Sequence, residues 1–366
     1  MLGRKIDKSF LIITLILLFG GFFIFTSASL GLLAREGVDF FTVAFNQIFF
    51  GLILGLIAMA WFSKTDFKKW NKYAFYIFLA SLALTALVFV PGLGFSHGGA
   101  RRWILLGSMS FQPAEFLKIG FVIYFSAWLA GIKEKVKSIK YGLLPLVAIV
   151  GLCGVLLLKQ PDTGTLIVIF LTAIAMYIVA GGKWSHAAIL SFVLVAGVIS
   201  LMFFQPYIKE RVLTFLNPTG DPQGASYQIQ QSLIAIGSGG WGGRGFGQSI
   251  QKFKYLPEPI GDSIFAVFAE EWGFIGCSIL IILFLIFVMR GLKIASEAPN
   301  SFSRLFVAGI IFLIIIQSFI NISSMLGIIP LTGVPLIFVS KGGTALFSAL
   351  AAIGIILNIS KYRRAI

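Results

Sequence analysis

The chain has 366 residues, 58% of them hydrophobic and only 12% charged, with a mean hydropathy of +0.96. A soluble domain is about half apolar and about a quarter charged, so this balance excludes a soluble enzyme. The formal net charge of +15 would suggest nucleic acid for a soluble protein, but here the basic residues are explained by their places between apolar runs, and no nucleic-acid partner is expected.

A membrane span needs about 20 apolar residues. Ten such runs are predicted near 10–30, 43–62, 73–91, 113–131, 142–158, 164–181, 186–205, 262–289, 305–325 and 342–360. The expected fold is an all-α integral membrane protein of about ten transmembrane helices. It forms a single polytopic domain over residues 1–366, with a large extracytoplasmic loop (206–261) between spans 7 and 8. The start of the chain imitates a signal peptide, with Arg4 and Lys5 before the apolar run and Ser27, Ala28 and Ser29 after it. That run is too long and is followed by too many others, so it reads as an uncleaved first span.

Basic residues set the orientation. With the N-terminus inside, the cytoplasmic segments hold Arg4, Lys5, Lys8, Lys64, Lys68, Lys69, Lys72, Lys133, Lys135, Lys137 and Lys140. Lys183, Arg290, Lys293, Arg304, Lys361, Arg363 and Arg364 complete the set, 18 of the 29 lysines and arginines. Both termini are therefore expected in the cytoplasm of a cell whose inner leaflet is anionic. Cys153 and Cys277 lie in apolar stretches and read as small core residues, not a disulfide or a metal site.

Most connections are short. The exception, 206–261, carries Pro206, Pro218, Pro222, Pro257 and Pro259 and the glycine run around Gly237-Ser238-Gly239-Gly240-Trp241. A loop of that length is functional or disordered, and Tyr227, Trp241 and Tyr255 favour an ordered, functional one. No P-loop, dinucleotide fingerprint or nucleophile elbow is present, and the glycine run follows no predicted strand.

Ionisable groups in spans need a reason, since each costs about 2.5–3.5 kcal/mol at mid-bilayer. Glu115 and Lys118, three residues apart at the start of the fourth span, share a helix face. They are either an ion pair gluing helices together or the wall of a polar cavity. Arg101 and Arg102 sit on an expected outer loop, where they either face solvent and headgroups or grip a phosphate or diphosphate. Asp162 heads the sixth span and suits a helix cap. Asp262 closes the long loop where the eighth span begins, with Glu258 four residues before it and Glu270 and Glu271 after it. Capping explains Asp262 alone, but that density of acids at one membrane face points to a cation, a proton relay or a general base. His97, read as lying in a flexible loop, and His186, on the other side, support no histidine metal site.

Several stretches together resemble the SEDS family (shape, elongation, division and sporulation), whose members polymerise peptidoglycan. They are Gly99-Ala100-Arg101-Arg102-Trp103-Ile104, Phe111-Gln112-Pro113-Ala114-Glu115-Phe116-Leu117-Lys118 and Gln160-Pro161-Asp162-Thr163-Gly164-Thr165. The long loop adds Tyr227-Gln228-Ile229-Gln230-Gln231-Ser232 and Lys252-Phe253-Lys254-Tyr255-Leu256-Pro257-Glu258 to Asp262, followed by Glu270-Glu271-Trp272-Gly273. Leu331-Thr332-Gly333-Val334-Pro335 and Ser340-Lys341-Gly342-Gly343 close the match, which is nearest to the division and sporulation branch (FtsW-like and SpoVE-like) rather than the RodA-like one.

The resemblance implies a lipid II polymerase at the outer face of the bacterial cytoplasmic membrane. Asp262 matches the family's catalytic aspartate, while Arg101, Arg102, Glu115, Lys118, Asp162, Glu258, Ser340 and Lys341 would line the substrate cavity. It implies lipid II as substrate, a class B penicillin-binding transpeptidase as partner and a divalent cation (magnesium or manganese) near the acids, its ligands unassigned, with no organic cofactor. Two departures stand out. Ile260-Gly261 replaces the family's His-Thr before the aspartate, and Lys341 replaces a tyrosine in the Ser-Tyr-Gly-Gly pattern. The first keeps open an inactive scaffold that activates a penicillin-binding protein. A lipid II flippase is the other alternative, although its polar groups should be spread through both halves of the bilayer rather than gathered at one face.

Overall fold

The computed structural model describes residues 5–34, 40–97, 99–106, 109–218, 220, 224 and 226–363. Eight helices are long and apolar enough to cross a membrane: Lys8–Leu33, Thr42–Phe62, Pro113–Lys137, Ile139–Lys159, Trp184–Phe204, Ile264–Ser296, Ser301–Met325 and Gly343–Ser360. Two shorter apolar helices, Ala74–Phe89 and Thr163–Val179, complete the ten expected spans in the expected order. The protein is a multi-pass helical membrane protein.

Local chemistry sets the span boundaries. Asp7 caps the first span by accepting from Phe10 N at 2.8 Å, and Asn300 caps the ninth by accepting from Ser303 N at 2.8 Å. Pro113 occupies the first turn of the fourth, where its missing N–H removes no helical bond. Spans nine and ten form the centre of the bundle, with 78% and 83% of their apolar windows buried, against 11% for span seven. The seventh span is thus a peripheral helix facing lipid along most of its length. Close approach of span ten to span two depends on Gly354, where a Cβ would come within 2.5 Å of the Met59 carbonyl oxygen.

At one end of the bundle the start of span one meets the ends of spans eight and ten. The Asp7 carboxylate pairs with Arg290 (3.0 Å) and with Arg363, and its amide donates to Ser360 Oγ at 3.0 Å. The start of the first span and the end of the tenth therefore lie on the same side of the bundle, as an even number of spans requires. Arg4 and Arg364, counted with the basic flanks, and Pro222 lie outside the described residues.

One feature differs from the sequence expectation. Residues 94–111 form a small antiparallel sheet rather than a flexible loop, in the order β1 (Gly94–His97), β2 (Ala100–Leu106), β3 (Met109–Phe111). His97 therefore belongs to a strand. Register pairs Phe95 with Trp103 and Ile104 with Phe111. The long loop is ordered, as its aromatic residues favoured: it contains the helices Pro206–Leu216 and Tyr227–Ser238 and a turn at Gln251–Phe253.

That loop is pinned to the bundle by the acids at 270 and 271, which the sequence reading had tied to a cation or relay. Glu270 accepts from Ser249 Oγ (2.6 Å) and from the Ile250 and Gln251 amides, and pairs with Arg244 at 3.4 Å. Glu271 pairs with Lys252 at 2.7 Å and accepts from Ser27 Oγ at 2.5 Å. Lys252 is fully buried, so the pair is a dry anchor between the loop and spans one and eight. These carboxylates are consumed structurally, and neither is placed to bind a cation.

Candidate active site

The polar residues of interest gather at the end of the bundle opposite the termini. Asp262 lies in a tight turn just ahead of the eighth span, where Glu258 O accepts from Gly261 N and Ser263 N at 3.0 and 3.2 Å. Glu258 has a left-handed backbone (φ 44), a conformation that a non-glycine residue adopts only under local constraint. A Cβ built on Gly261 would lie 3.3 Å from Glu258 Oε2, so the missing side chain leaves room for that carboxylate.

Opposite Asp262 stands Arg211, carried by the loop helix Pro206–Leu216. Its Nη1 donates to Thr332 O at 3.0 Å, and its guanidinium lies 6.0 Å from the Tyr207 ring centroid, one turn back. Gly333 (φ 73) fits between the two charged groups. A Cβ there would sit 3.4 Å from both Asp262 Oδ2 and Arg211 Nη2. A side chain at this position would be strained by the backbone and would touch both groups.

Arg102, on β2, donates through Nε to Gln160 O at 3.3 Å and through Nη2 to Pro161 O, and lies 3.9 Å from Asp162 Oδ1. Asp162 caps the sixth span as expected, accepting from Thr165 N at 3.3 Å and from Thr165 Oγ1 at 3.0 Å. The cap and the guanidinium brace each other. Asp262 keeps part of its surface accessible, but the protein around it is dense enough for lost hydration to dominate. Burial, reinforced by Glu258, pushes its carboxyl up to about 6, against the opposing pull of Arg211 and Arg102. Burial also lowers the Arg211 pKa, with the nearby Arg102 charge acting in the same direction.

An open groove of about 960 Å³ runs from this site along spans five, six and seven. Leu158, Phe170, Leu194, Leu201 and Phe319 make its walls apolar, while Thr163, Arg211 and Thr332 stand among its polar lining residues. One continuous surface therefore joins a cationic group to a hydrocarbon-lined channel.

Other expected cavity residues are placed differently. Arg101 and Arg102 sit where the β1–β2 pairing is irregular, and their side chains reach different partners. Arg101 Nε donates to Gly94 O at 3.1 Å within the sheet, and the two do not form a double clamp. Glu115 and Lys118 are buried and paired at 2.8 Å, with Lys118 Nζ also 2.5 Å from Gln317 Oε1. The cavity beside them is about 10 Å³, room for a single water, so the pair glues helices rather than lining an open groove. Ser340 is buried and turns its hydroxyl to Gly261 O at 2.8 Å, while Lys341 is exposed and its amide donates to Ile260 O at 2.7 Å.

Sequence reasoning passed over Arg211 and Asn321. Arg211 left a signal, since it is a basic residue in a segment that topology assigns to the outer side. Asn321, a buried amide in an apolar span, left only its polarity. Among the described residues no three His, Cys, Asp or Glu side chains converge as metal ligands do.

The sequence profile described as "Cell cycle protein" (FtsW, RodA and SpoVE) matches residues 7–365. Stage V sporulation protein E of Bacillus subtilis (strain 168) is 39% identical over 358 residues, spanning 98% of both chains. A probable peptidoglycan glycosyltransferase FtsW of Geobacter sp. (strain M18) is 36% identical over 358 residues, 98% of this chain and 97% of that one. Among solved structures, a chain of a peptidoglycan synthase complex that coordinates polymerization and crosslinking superposes with a TM-score of 0.79 at 27% identity, covering 98% of both chains. The rod shape determining protein RodA of Thermus thermophilus gives a TM-score of 0.70 at 26% identity and the same coverage. With nearly its whole length matched in sequence and in fold, this chain belongs to the FtsW/RodA/SpoVE family.

Proposed function

We propose that the protein is a peptidoglycan glycosyltransferase that polymerises lipid II, with Asp262 as general base and undecaprenyl diphosphate as leaving group. The observation that carries this reading is the continuity of the site with the groove. Arg211 lines an apolar channel of about 960 Å³ and also faces the carboxylate of Asp262 across Gly333. A polyprenyl diphosphate needs both features, hydrocarbon walls for the chain and a cation for the headgroup.

In the reaction the 4-hydroxyl of the acceptor GlcNAc attacks C1 of the donor MurNAc. The C1–O bond to the diphosphate breaks, and the hydroxyl proton passes to Asp262 Oδ. A diphosphate departs readily once its charge is neutralised, so one base and guanidinium groups suffice, unlike glycoside hydrolysis with its two carboxylates. A carboxyl near 6 is ionised at neutral pH yet more basic than an ordinary aspartate. Arg211 is the proposed diphosphate contact, with Arg102 behind it. The donor set does not fit a metal held by protein alone, because Asp162 is spent on its cap and Arg102. A divalent cation here would have to be carried by the diphosphate oxygens, and no step is assigned to one.

The basic flanks favour an orientation with both termini in the cytoplasm and the site at the outer face of the bacterial cytoplasmic membrane. Likeness to a chain of a peptidoglycan synthase complex supports a penicillin-binding transpeptidase as partner. Purified protein reconstituted with lipid II, alone and with such a partner, should form glycan strands. Transfer of labelled lipid II between leaflets without product would instead identify a flippase.

A further inference from the structure

The turn that carries Asp262 is closed by two bonds of its own, from Gly261 N and Ser263 N to Glu258 O. Gly261 contributes no side chain and gives the backbone more freedom than any other residue would. Further restraint comes from distant parts of the chain, which take hold of three consecutive carbonyls. Ile260 O accepts from Lys341 N at 2.7 Å, Gly261 O from Ser340 Oγ at 2.8 Å, and Asp262 O from Asn321 Nδ2 at 2.9 Å.

Asn321 does more than close one bond. It is 1% exposed in the ninth span, and its Nδ2 also donates to Val334 O at 2.9 Å. Val334 follows Gly333, the residue that Asp262 and Arg211 both face. One amide group thus ties the base-bearing turn to the strip of backbone separating base from cation. Ser340 is itself held, since its Oγ accepts from Leu336 N at 2.9 Å and its carbonyl from Gln47 Nε2 at 3.3 Å. Gln47 Oε1 in turn accepts from Gly342 N at 3.0 Å.

We propose that Asn321 and Ser340 are positioning residues for Asp262, fixing the two peptides that flank its Cα, and so its carboxylate, relative to Arg211. The proposal rests on the reading of Asp262 as the base. Ile260 and Gly261 offer no polar side chain ahead of the aspartate, and their carbonyls are held from outside the segment. Neither residue needs to touch substrate. Both act on the distance over which a proton must move, and a displacement of about 1 Å at such a point lowers turnover by roughly a hundredfold.

The test is steady-state polymerisation of lipid II by the full-length purified chain, comparing Asn321→Ala, Ser340→Ala, Ser340→Thr and the Asn321→Ala/Ser340→Ala double variant. Asn321→Ala should lower kcat by about a hundredfold while KM for lipid II stays within about threefold of wild type. The double variant should lose less than the product of the single losses, because the two substitutions free the peptides on either side of the same Cα, that of Asp262. Ser340→Thr, which retains the hydroxyl, should keep most of the activity that Ser340→Ala loses.

A wild-type kcat for Asn321→Ala, a loss confined to KM, or independent multiplicative losses would each overturn the proposal. Should Asn321→Ala lose its melting transition, the Ser340 pair carries the test, since it changes one atom or one methyl at a loop. Asp262→Asn, assayed alongside, separates the two claims. Full activity there defeats the base assignment itself, whereas an inactive Asp262→Asn with an unaffected Asn321→Ala defeats only the positioning.

Discussion

Asp262 and Arg211 face each other across a glycine: a Cβ on Gly333 would lie 3.4 Å from a carboxylate oxygen of one and 3.4 Å from a guanidinium nitrogen of the other. The base and the cation of the proposed reaction thus both face one glycine, whose φ of 73 an L side chain rarely adopts. Gly333→Ala should therefore reduce polymerisation by about tenfold or more while barely affecting assembly, because strain at φ 73 is local. The check is turnover beside a detergent melting curve.

The raised carboxyl of Asp262 gives a pH dependence with opposite signs for rate and stability. Burial moves it from 3.8 to about 6, so between those values the folded chain binds a proton that the unfolded chain has lost. Its contribution to stability is therefore greatest below the ordinary value and falls as pH rises towards 6. Polymerisation should instead rise through that interval and level off above it, as the base ionises. Asp262→Asn should melt higher than wild type at about pH 7.5, by the equivalent of up to roughly 2–3 kcal/mol, and lose that advantage near pH 4. Parallel melting curves at the two pH values test this.

Arg211 is expected to recognise the diphosphate by its planar fork as well as its charge. Arg211→Lys keeps the charge but not the geometry, and should still lower kcat/KM by about tenfold or more, with Arg211→Ala lower again. Kinetics with varied lipid II decide it. Equal activity of the lysine variant would mean that charge alone acts at this position.

The apolar groove makes a prediction that depends on chain length. Gly197 lines it with no atom within 4 Å of where a Cβ would stand, so Gly197→Phe is expected to extend a ring into the channel. KM should rise for substrate with a full-length polyprenyl chain and change little for a short-chain analogue. A uniform effect on both would place the lipid elsewhere.

Lys252 and Glu271 form a buried pair, so removing one partner leaves an uncompensated charge. Lys252→Met should destabilise by about 3–5 kcal/mol, and Lys252→Met/Glu271→Leu should recover much of the loss. Thermal melts of the single and double variants measure both.

The ten spans were legible because the bilayer imposes one length and one polarity on each, and few apolar runs were available to confuse them. The hairpin at 94–111 was less so. Gly98-Gly99 between two short runs is a turn signal, but the apolar background hides the alternation that would mark strands. Asp262, Asp162 and Arg102 stand out in the sequence as polar groups at span ends. Their relation to Arg211 does not, because the helix that delivers it lies in the long loop and its register against Gly333 is a tertiary fact. Glu270 and Glu271 were visible as buried charges, while their partners Lys252, Ser249 and Ser27 lie 19 to 244 residues away. Sequence pointed those acids to a cation, a proton relay or a general base, because the residues that engage them are brought together only by the fold.

The most direct test of the account is the polymerisation of defined lipid II by the wild-type chain and by Asp262→Asn at equal, verified folding. The account predicts glycan strands from the first and essentially none from the second, with lipid II still bound. Strands produced at the wild-type rate by Asp262→Asn would contradict it.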